Sequence, residues 1–221
     1  MDELLRVRYL FILLLILQGC NSCRYSDKES FIPKDQTNEN EKRNTLFVFV
    51  GEKIDFRQMP DEKGDFDNRF IAKYKVLQSI YGNYLKDTIE FKVYDHYGIP
   101  PFINDRYVML FVSESKGKYY QEKYQYFDLH KTRNGRWASP HSTYDYEHYF
   151  NRNTDVKPQK MDFVEEVSYN IKGRDMEEMK AGYPEPYYKI VGDKAIAVYG
   201  NYIPELFKLK KDGVLKARKL F

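Results

Sequence analysis

Cysteine is scarce in this chain, and its scarcity excludes the disulfide-rich class of small secreted domains. The 221 residues contain two cysteines, Cys20 and Cys23, both near the start. Domains that depend on disulfides carry several cysteine pairs along their length. Stability must therefore come from a hydrophobic core, and a 42% hydrophobic content is sufficient for one domain with extensions.

An excess of charge of one sign is also lacking. The chain has 36 basic and 33 acidic residues, and its formal net charge is +3. Proteins that bind nucleic acid electrostatically concentrate basic residues on one surface. We therefore expect no nucleic-acid partner.

Catalytic motifs are missing as well. No glycine-rich phosphate loop occurs, and no motif places a serine or cysteine nucleophile beside a base. Adjacent carboxylates such as Glu165 and Glu166 point apart on a helix or a strand, which is typical of solvated surfaces. We expect a protein without enzymatic activity and without a cofactor.

The apolar stretch near the start is too short to cross a membrane. Arg6 and Arg8 precede the nine uncharged residues 9–17, whereas a helix that spans the bilayer needs about 20 apolar residues. Basic residues, a short apolar run and a small residue form the layout of an export signal.

The end of this stretch resembles the lipobox of bacterial lipoproteins. Leu17, Gln18, Gly19 and Cys20 place a branched apolar residue at minus three and a small residue before the cysteine. The resemblance implies cleavage between Gly19 and Cys20 and acylation of Cys20, and two or three acyl chains form a stable membrane anchor. The alternatives are an ordinary signal with an unrelated cysteine, or an uncleaved core segment.

We divide the chain into four parts. They are a signal peptide (1–19), the lipidated cysteine with a flexible linker (20–44), a β-barrel domain (45–138), and an extension of loop, short helix and C-terminal β structure (139–221). The linker is polar and charged and contains too few apolar residues to form a core.

The barrel prediction depends on five strand-like segments between residues 46 and 129. The first and fourth, LFVFVG and YVMLFV, are continuously apolar, whereas the second and third alternate apolar with charged residues and form an expected antiparallel pair. This order predicts a mainly β fold with a small antiparallel barrel.

Residues 47–113 also resemble the netrin-like barrel, an OB-type fold of tissue inhibitors of metalloproteinases. The similarity lies in VFVG, AKYKVL, a glycine-containing turn and RYVMLFV. The resemblance implies the fold alone, because the family's Cys-x-Cys before the first strand and its disulfides are missing here.

The C-terminal extension has a mixed pattern. Apolar residues three or four apart in 161–171 fit one face of a helix, and residues 195–199 resemble a strand. Asp212 and Gly213 lie between two apolar runs, which predicts a terminal β-hairpin.

Tyrosine is the most informative residue type, with 21 copies. Exposed tyrosine clusters suit the recognition of proteins or sugars, although tyrosine is also a common strand residue that covers a sheet. The predicted binding surface consists of Tyr119, Tyr120, Tyr124, Tyr126, Trp137 and Tyr146.

A second candidate site lies in HSTYDYEH. His141, Asp145 and His148 would share one side of a helix and would suit a transition metal. The alternative is that all three are solvated polar residues.

These patterns together indicate an envelope lipoprotein that is anchored to the cell membrane through Cys20 and presents a β-rich domain to an envelope protein or a glycan. Asn21 after Cys20 permits an outer-membrane destination. Two alternatives remain open: a metal-assisted hydrolase at the histidine site, and an envelope inhibitor or immunity protein.

Overall fold

A computed structural model describes residues 45–60, 64 and 66–221. The predicted signal peptide, the lipidation site at Cys20 and the linker lie outside the described residues. Within the described ranges, no helix is long and apolar enough to span a membrane.

The described part of the chain contains strands, three short α-helices, one 3-10 turn and one π-helical turn. The strands are β1 (Thr45–Gln58), β2 (Asn68–Tyr81), β3 (Thr88–Asp95), β4 (Tyr107–Ser115), β5 (Lys118–Asp128), β6 (His130–Lys131), β7 (Trp137–Pro140), β8 (Gln159–Lys160), β9 (Ser168–Asn170), β10 (Tyr188–Val191), β11 (Lys194–Ala197) and β12 (Tyr199–Tyr202). The helices are α1 (Thr143–Glu147), α2 (Met176–Gly182) and α3 (Ile203–Lys210), and the turns are a 3-10 turn (Pro101–Asn104) and a π-helical turn (Lys211–Leu215).

Five strands close into a barrel in the order β1-β2-β3-β5-β4. Neighbouring strands are antiparallel except for β3 and β5, which close the barrel through a short parallel pairing at Lys92 and Tyr120. The predicted fold class, mainly β with a small OB-type barrel and a C-terminal α/β extension, is confirmed.

β1 and β4 are buried on both faces. Phe47 and Phe49 of β1 point into the barrel, while Val48 and Val50 pack outward against a second core that includes α3. Burial on both faces explains why both strands are continuously apolar. Removal of apolar surface from water stabilises the folded state by roughly 25 cal/mol per Å². β2 and β3 have one solvated face and therefore alternate.

Two small sheets follow the barrel, and one of them includes β6 and the start of β7, which precede residue 139. One has the order β10-β11-β9, and the other joins β6 and β7 to β12 and β8. The first sheet has a core of its own, in which Val167, Ile171 and Tyr188 are buried. The predicted strand at 195–199 is confirmed in part by β11, which ends at Ala197, and β12 begins at Tyr199.

The helix predicted over 161–171 is wrong. Met161 packs into a cluster with Ala138 and Tyr202, whereas Val167 and Ile171 belong to the core of the β10-β11-β9 sheet. The apolar residues therefore serve two different cores, and pairing of β9 with β11 determines the local conformation.

The terminal hairpin is also wrong, because the apolar runs around Asp212 and Gly213 are helical. Leu206 and Leu209 lie at helical spacing on α3, and they pack on the outer face of the barrel together with Val214, which follows a kink at Gly213. Asp212 and Gly213 fall in the π-helical turn, where a Cβ at Gly213 would lie 2.0 Å from Asn151 Oδ1. Glycine is required there for close approach and not for a β-turn.

Replacement of Gly213 tests this packing. We expect Gly213→Ala to lower the free energy of unfolding by about 2 kcal/mol, because the added methyl group overlaps Asn151. Urea denaturation of the purified protein measures the change. Gly182→Ala is the matched control, since a Cβ at Gly182 meets no atom within 4 Å; equal stability of the two variants would contradict the packing.

Candidate functional site

A cavity of about 920 Å³ opens between one end of the barrel and the C-terminal extension. The barrel side consists of β5, the end of β3 and the 3-10 turn, and the opposite side consists of α1, β9, α2 and the start of β10. Ligand sites in proteins commonly have volumes of roughly 300 to 1,000 Å³ and lie between structural units. The cavity is therefore the candidate functional site.

Asp128 is the central acidic group of the cavity wall. One carboxylate oxygen accepts hydrogen bonds from the Tyr169 hydroxyl at 2.9 Å and from His130 Nε2 at 3.2 Å, and the other accepts from Ser139 Oγ at 3.1 Å. Burial alone would raise the pKa of Asp128, but these donors and the charge of His130 outweigh it and hold the pKa below its usual value. The side chain remains 24% exposed because it faces the cavity, so a charged carboxylate is presented there.

The pKa of Asp105 is shifted in the opposite direction. Burial, and then repulsion by Asp128, raise the pKa of Asp105 to about 6, against the attraction of His130 and Lys53. Asp105 follows the 3-10 turn and does not line the cavity. Two carboxylates with divergent pKa values can divide acid and base roles, but only Asp128 is accessible from the cavity.

Tyrosine rings form much of the remaining wall. At the mouth, Tyr97 and Tyr144 are 86% and 64% exposed, and Tyr97 lies 5.9 Å from the Tyr124 ring. Deeper in the cavity, the Tyr183 ring contacts Tyr169 at 5.5 Å and Tyr188 at 5.1 Å between ring centroids. The wall thus offers flat apolar faces together with hydroxyl groups.

Tyr124 reaches the cavity through an irregularity in β5. Leu110 pairs with Tyr126, but Val112 pairs with Gln121, so β5 contains extra residues between these two pairs. Tyr124 lies in this bulge with φ of 66°, a conformation that is uncommon for a bulky side chain. Such strain concentrates at functional sites, where surrounding structure holds a residue in place.

His141 lines the cavity wall as a buried, neutral ring. It packs 3.8 Å from the Tyr187 ring and 4.9 Å from the Tyr146 ring, and its Nδ1 has no hydrogen-bond partner among the described residues. Burial lowers the pKa of His141 to about 4, against the attraction of Asp145. The ring is therefore uncharged at neutral pH.

The helical arrangement predicted for the metal site is not formed. α1 covers Thr143–Glu147, so His141 precedes the helix and His148 follows it. The Asp145 carboxylate accepts a hydrogen bond from Lys210 Nζ, and His148 Nδ1 accepts one from the Phe150 amide at 3.3 Å. Among the described residues, no group of three or more His, Cys, Asp or Glu side chains could hold a metal ion.

The structure divides the predicted tyrosine surface. Tyr124 and Tyr126 line the cavity. Tyr119 packs 6.0 Å from the Phe47 ring at the barrel core, and Tyr120 stacks 6.3 Å from Tyr94 on the barrel.

The remaining two predicted residues lie elsewhere. The Tyr146 hydroxyl donates to Asn201 Oδ1 at 2.7 Å, which gives this side chain a structural contact. Trp137 packs 4.8 Å from Tyr107, lies 3.9 Å beneath Lys131 Nζ, and lines a smaller cavity of about 320 Å³.

Sequence reasoning missed Asp128 and the tyrosines of the extension. Tyr169 is 41 residues from Asp128 in sequence, and no local pattern marks either residue as part of a site. The only sequence signal is an aspartate at the end of an apolar strand.

Comparison of the chain with known protein families, with curated proteins and with solved structures found no match.

The buried neutral state of His141 predicts a pH dependence. Its pKa is about 4 in the folded protein and about 6.5 in the unfolded chain, so the unfolded chain binds more protons between these values. We expect the natural protein to lose stability on the order of 2 kcal/mol as the pH falls from 7 to 4, and we expect His141→Phe not to show this loss. The loss is smaller than the full pKa shift implies, because solvent in the cavity screens the ring. Urea denaturation across this range measures it.

Asp105 acts in the opposite direction over the same pH range. Its raised pKa stabilises the folded protein at low pH, and this contribution is lost as the pH rises through about 6. The diagnostic quantity is therefore the stability difference between the natural protein and His141→Phe. A difference that does not change with pH would show that His141 is not held neutral.

Proposed function

We propose that this protein is a membrane-anchored envelope lipoprotein whose barrel domain binds a segment of glycan in the cavity, without catalysis. The lipobox resemblance at Leu17–Cys20 supports the anchor. The polar sequence of residues 20–44 would separate the binding domain from the membrane surface.

The observation that carries the proposal is the combination of tyrosine faces and carboxylates around one open cavity. Tyr97, Tyr124 and Tyr144 line the mouth, and Asp95 and Asp128 lie on the wall. The C–H faces of sugar rings pack against aromatic rings, and their hydroxyl groups donate to carboxylates. This chemistry matches both types of side chain in the wall.

The shape of the site favours a glycan over a folded protein partner. A stable protein interface buries about 800 Å² on each side over a broad surface. Here the tyrosines surround a cavity of about 920 Å³, which accommodates a few sugar units but not a protein surface.

The geometry is less favourable for the alternative hydrolase. A metal centre at His141, Asp145 and His148 requires the Asp145 carboxylate as a ligand, and Lys210 already occupies it. No feature of the described residues favours an inhibitor or immunity protein.

Removal of the rings at the mouth tests glycan binding. We expect Tyr97→Ala with Tyr144→Ala to weaken binding of a captured glycan at least about tenfold, or about 1.4 kcal/mol, because aromatic anchors dominate recognition. Both rings are more than half exposed, so their loss leaves the core intact. The full chain in detergent micelles is applied to an array of bacterial envelope glycans, and hits are measured by calorimetry.

Tyr149→Ala is the matched control, since Tyr149 is 68% exposed and does not line the cavity. Retention of full binding by the double variant, or an equal loss in the control, would contradict the proposed cavity.

The anchor has a separate test. We expect the natural chain to fractionate with membranes and to carry diacylglyceryl on Cys20, whereas Cys20→Ser is released from membranes and lacks the lipid. Mass spectrometry of the N-terminal peptide and membrane fractionation measure these outcomes. Cys23→Ser is the control, because Cys23 lacks a preceding branched apolar residue at minus three; equal fractionation of the natural chain and Cys20→Ser would refute the anchor.

A further inference from the structure

The cavity wall has more acidic than basic groups. Asp95, Asp128, Asp145 and Glu147 line it, and Arg174 is its basic residue. Lys210 neutralises Asp145 from behind the wall, because its ammonium group is 1% exposed and pairs with that carboxylate. Of the other three carboxylates, Asp128 pairs with His130, so the lining retains more acidic groups than its one guanidinium group balances.

The acidic groups differ in the number of hydrogen bonds and ion pairs that they form. Asp128 accepts from three side chains, and Asp95 accepts from the Tyr97 amide at 2.8 Å. A carboxylate has about four acceptor positions, so both retain capacity for a further donor. Glu147 is exposed and has no ion-pair partner among the described residues.

Basic groups near the cavity offset this charge only in part. His130 pairs with Asp128 at 3.2 Å, and Lys123 Nζ, which pairs with Asp67 at 2.7 Å, lies 5.4 Å from the Tyr124 ring centre. The Arg174 guanidinium lies 5.5 Å from the Tyr183 ring centre, and His141 stays neutral because burial lowers its pKa to about 4. An uncharged imidazole adds a hydrogen-bond acceptor or donor but no positive charge. A ligand that carries positive charge is therefore needed for electrostatic complementarity.

Tyrosine rings favour the same kind of ligand. The face of an aromatic ring attracts a cation within about 6 Å, and the attraction increases when water is excluded. In this cavity Tyr124 and Tyr97 lie near Asp95, and Tyr169 donates its hydroxyl to Asp128. Aromatic rings and carboxylates thus lie close together in the wall.

We propose that the cavity selects a saccharide that carries a free ammonium group, such as an unacetylated amino sugar, over a neutral saccharide. The selectivity rests on the proposed glycan-binding function. The ammonium group donates to Asp128, Asp95 or Glu147, and the sugar ring packs on the tyrosines.

The test compares four probes by calorimetry on the full chain in detergent micelles. The probes are the β-1,4 trimers of glucosamine, of N-acetylglucosamine and of glucose, together with trilysine. We expect the glucosamine trimer to bind at least about tenfold more tightly than the two neutral trimers at pH 6. At pH 8.5, where its amino groups lose their protons, its affinity should fall to that of the glucose trimer.

Two charge variants and one control test whether the charges of the cavity wall cause the selectivity for the ammonium group. We expect Glu147→Gln to weaken binding of the glucosamine trimer at least about threefold, and Arg174→Gln to tighten it by a similar factor, because each changes the charge that the ammonium group meets. Each should change the affinity for the glucose trimer by a smaller factor than the affinity for the glucosamine trimer. Glu165→Gln, which alters an exposed carboxylate outside the cavity, should change neither affinity.

The outcomes separate the two proposals. Equal affinity for all three saccharides would overturn the ammonium selectivity and leave glycan binding intact. Binding of trilysine in preference to the glucosamine trimer would show a cationic peptide as the ligand and would overturn both. Absence of binding to any saccharide probe would overturn both for this class of glycan.

Discussion

The buried ion pair between Lys210 and Asp145 is the contact on which the cavity depends. The two side chains are 1% and 8% exposed, and the ammonium group also lies 4.8 Å from the Phe127 ring of the barrel. Burial lowers the pKa of Lys210, against the attraction of Asp145. Two charges removed from water are costly unless they are paired, so the carboxylate of α1 and the ammonium of α3 must be held together.

Asn151 extends this contact into the backbone. Its amide group donates to the Asp145 carbonyl at 2.9 Å, and its side-chain oxygen accepts from the Val214 amide at 2.9 Å. The wall formed by α1 is therefore fixed to the π-helical turn as well as to α3. The small core around Val167 and Tyr188 holds the opposite wall, and the Tyr188 hydroxyl donates to the His141 carbonyl to join the two.

Local pattern predicted the barrel but not the cavity. Alternation in β2 and β3, and continuous apolar residues in β1 and β4, report directly on burial. The same reasoning singled out Tyr124 and Tyr126, which line the cavity. It failed at residues 161–171, where short-range spacing reflected two separate cores, and it missed Asp128 because its partners are remote in sequence. Contacts over such separations leave no periodic signal.

The position of Lys210 in the sequence determines when the wall formed by α1 can be completed. Asp145 and Lys210 are 65 residues apart, and all five barrel strands precede both residues. A chain that leaves the ribosome from its N-terminus can form the barrel strands first, while Asp145 still lacks its cation. The wall formed by α1 can therefore be completed only after all five barrel strands have been made.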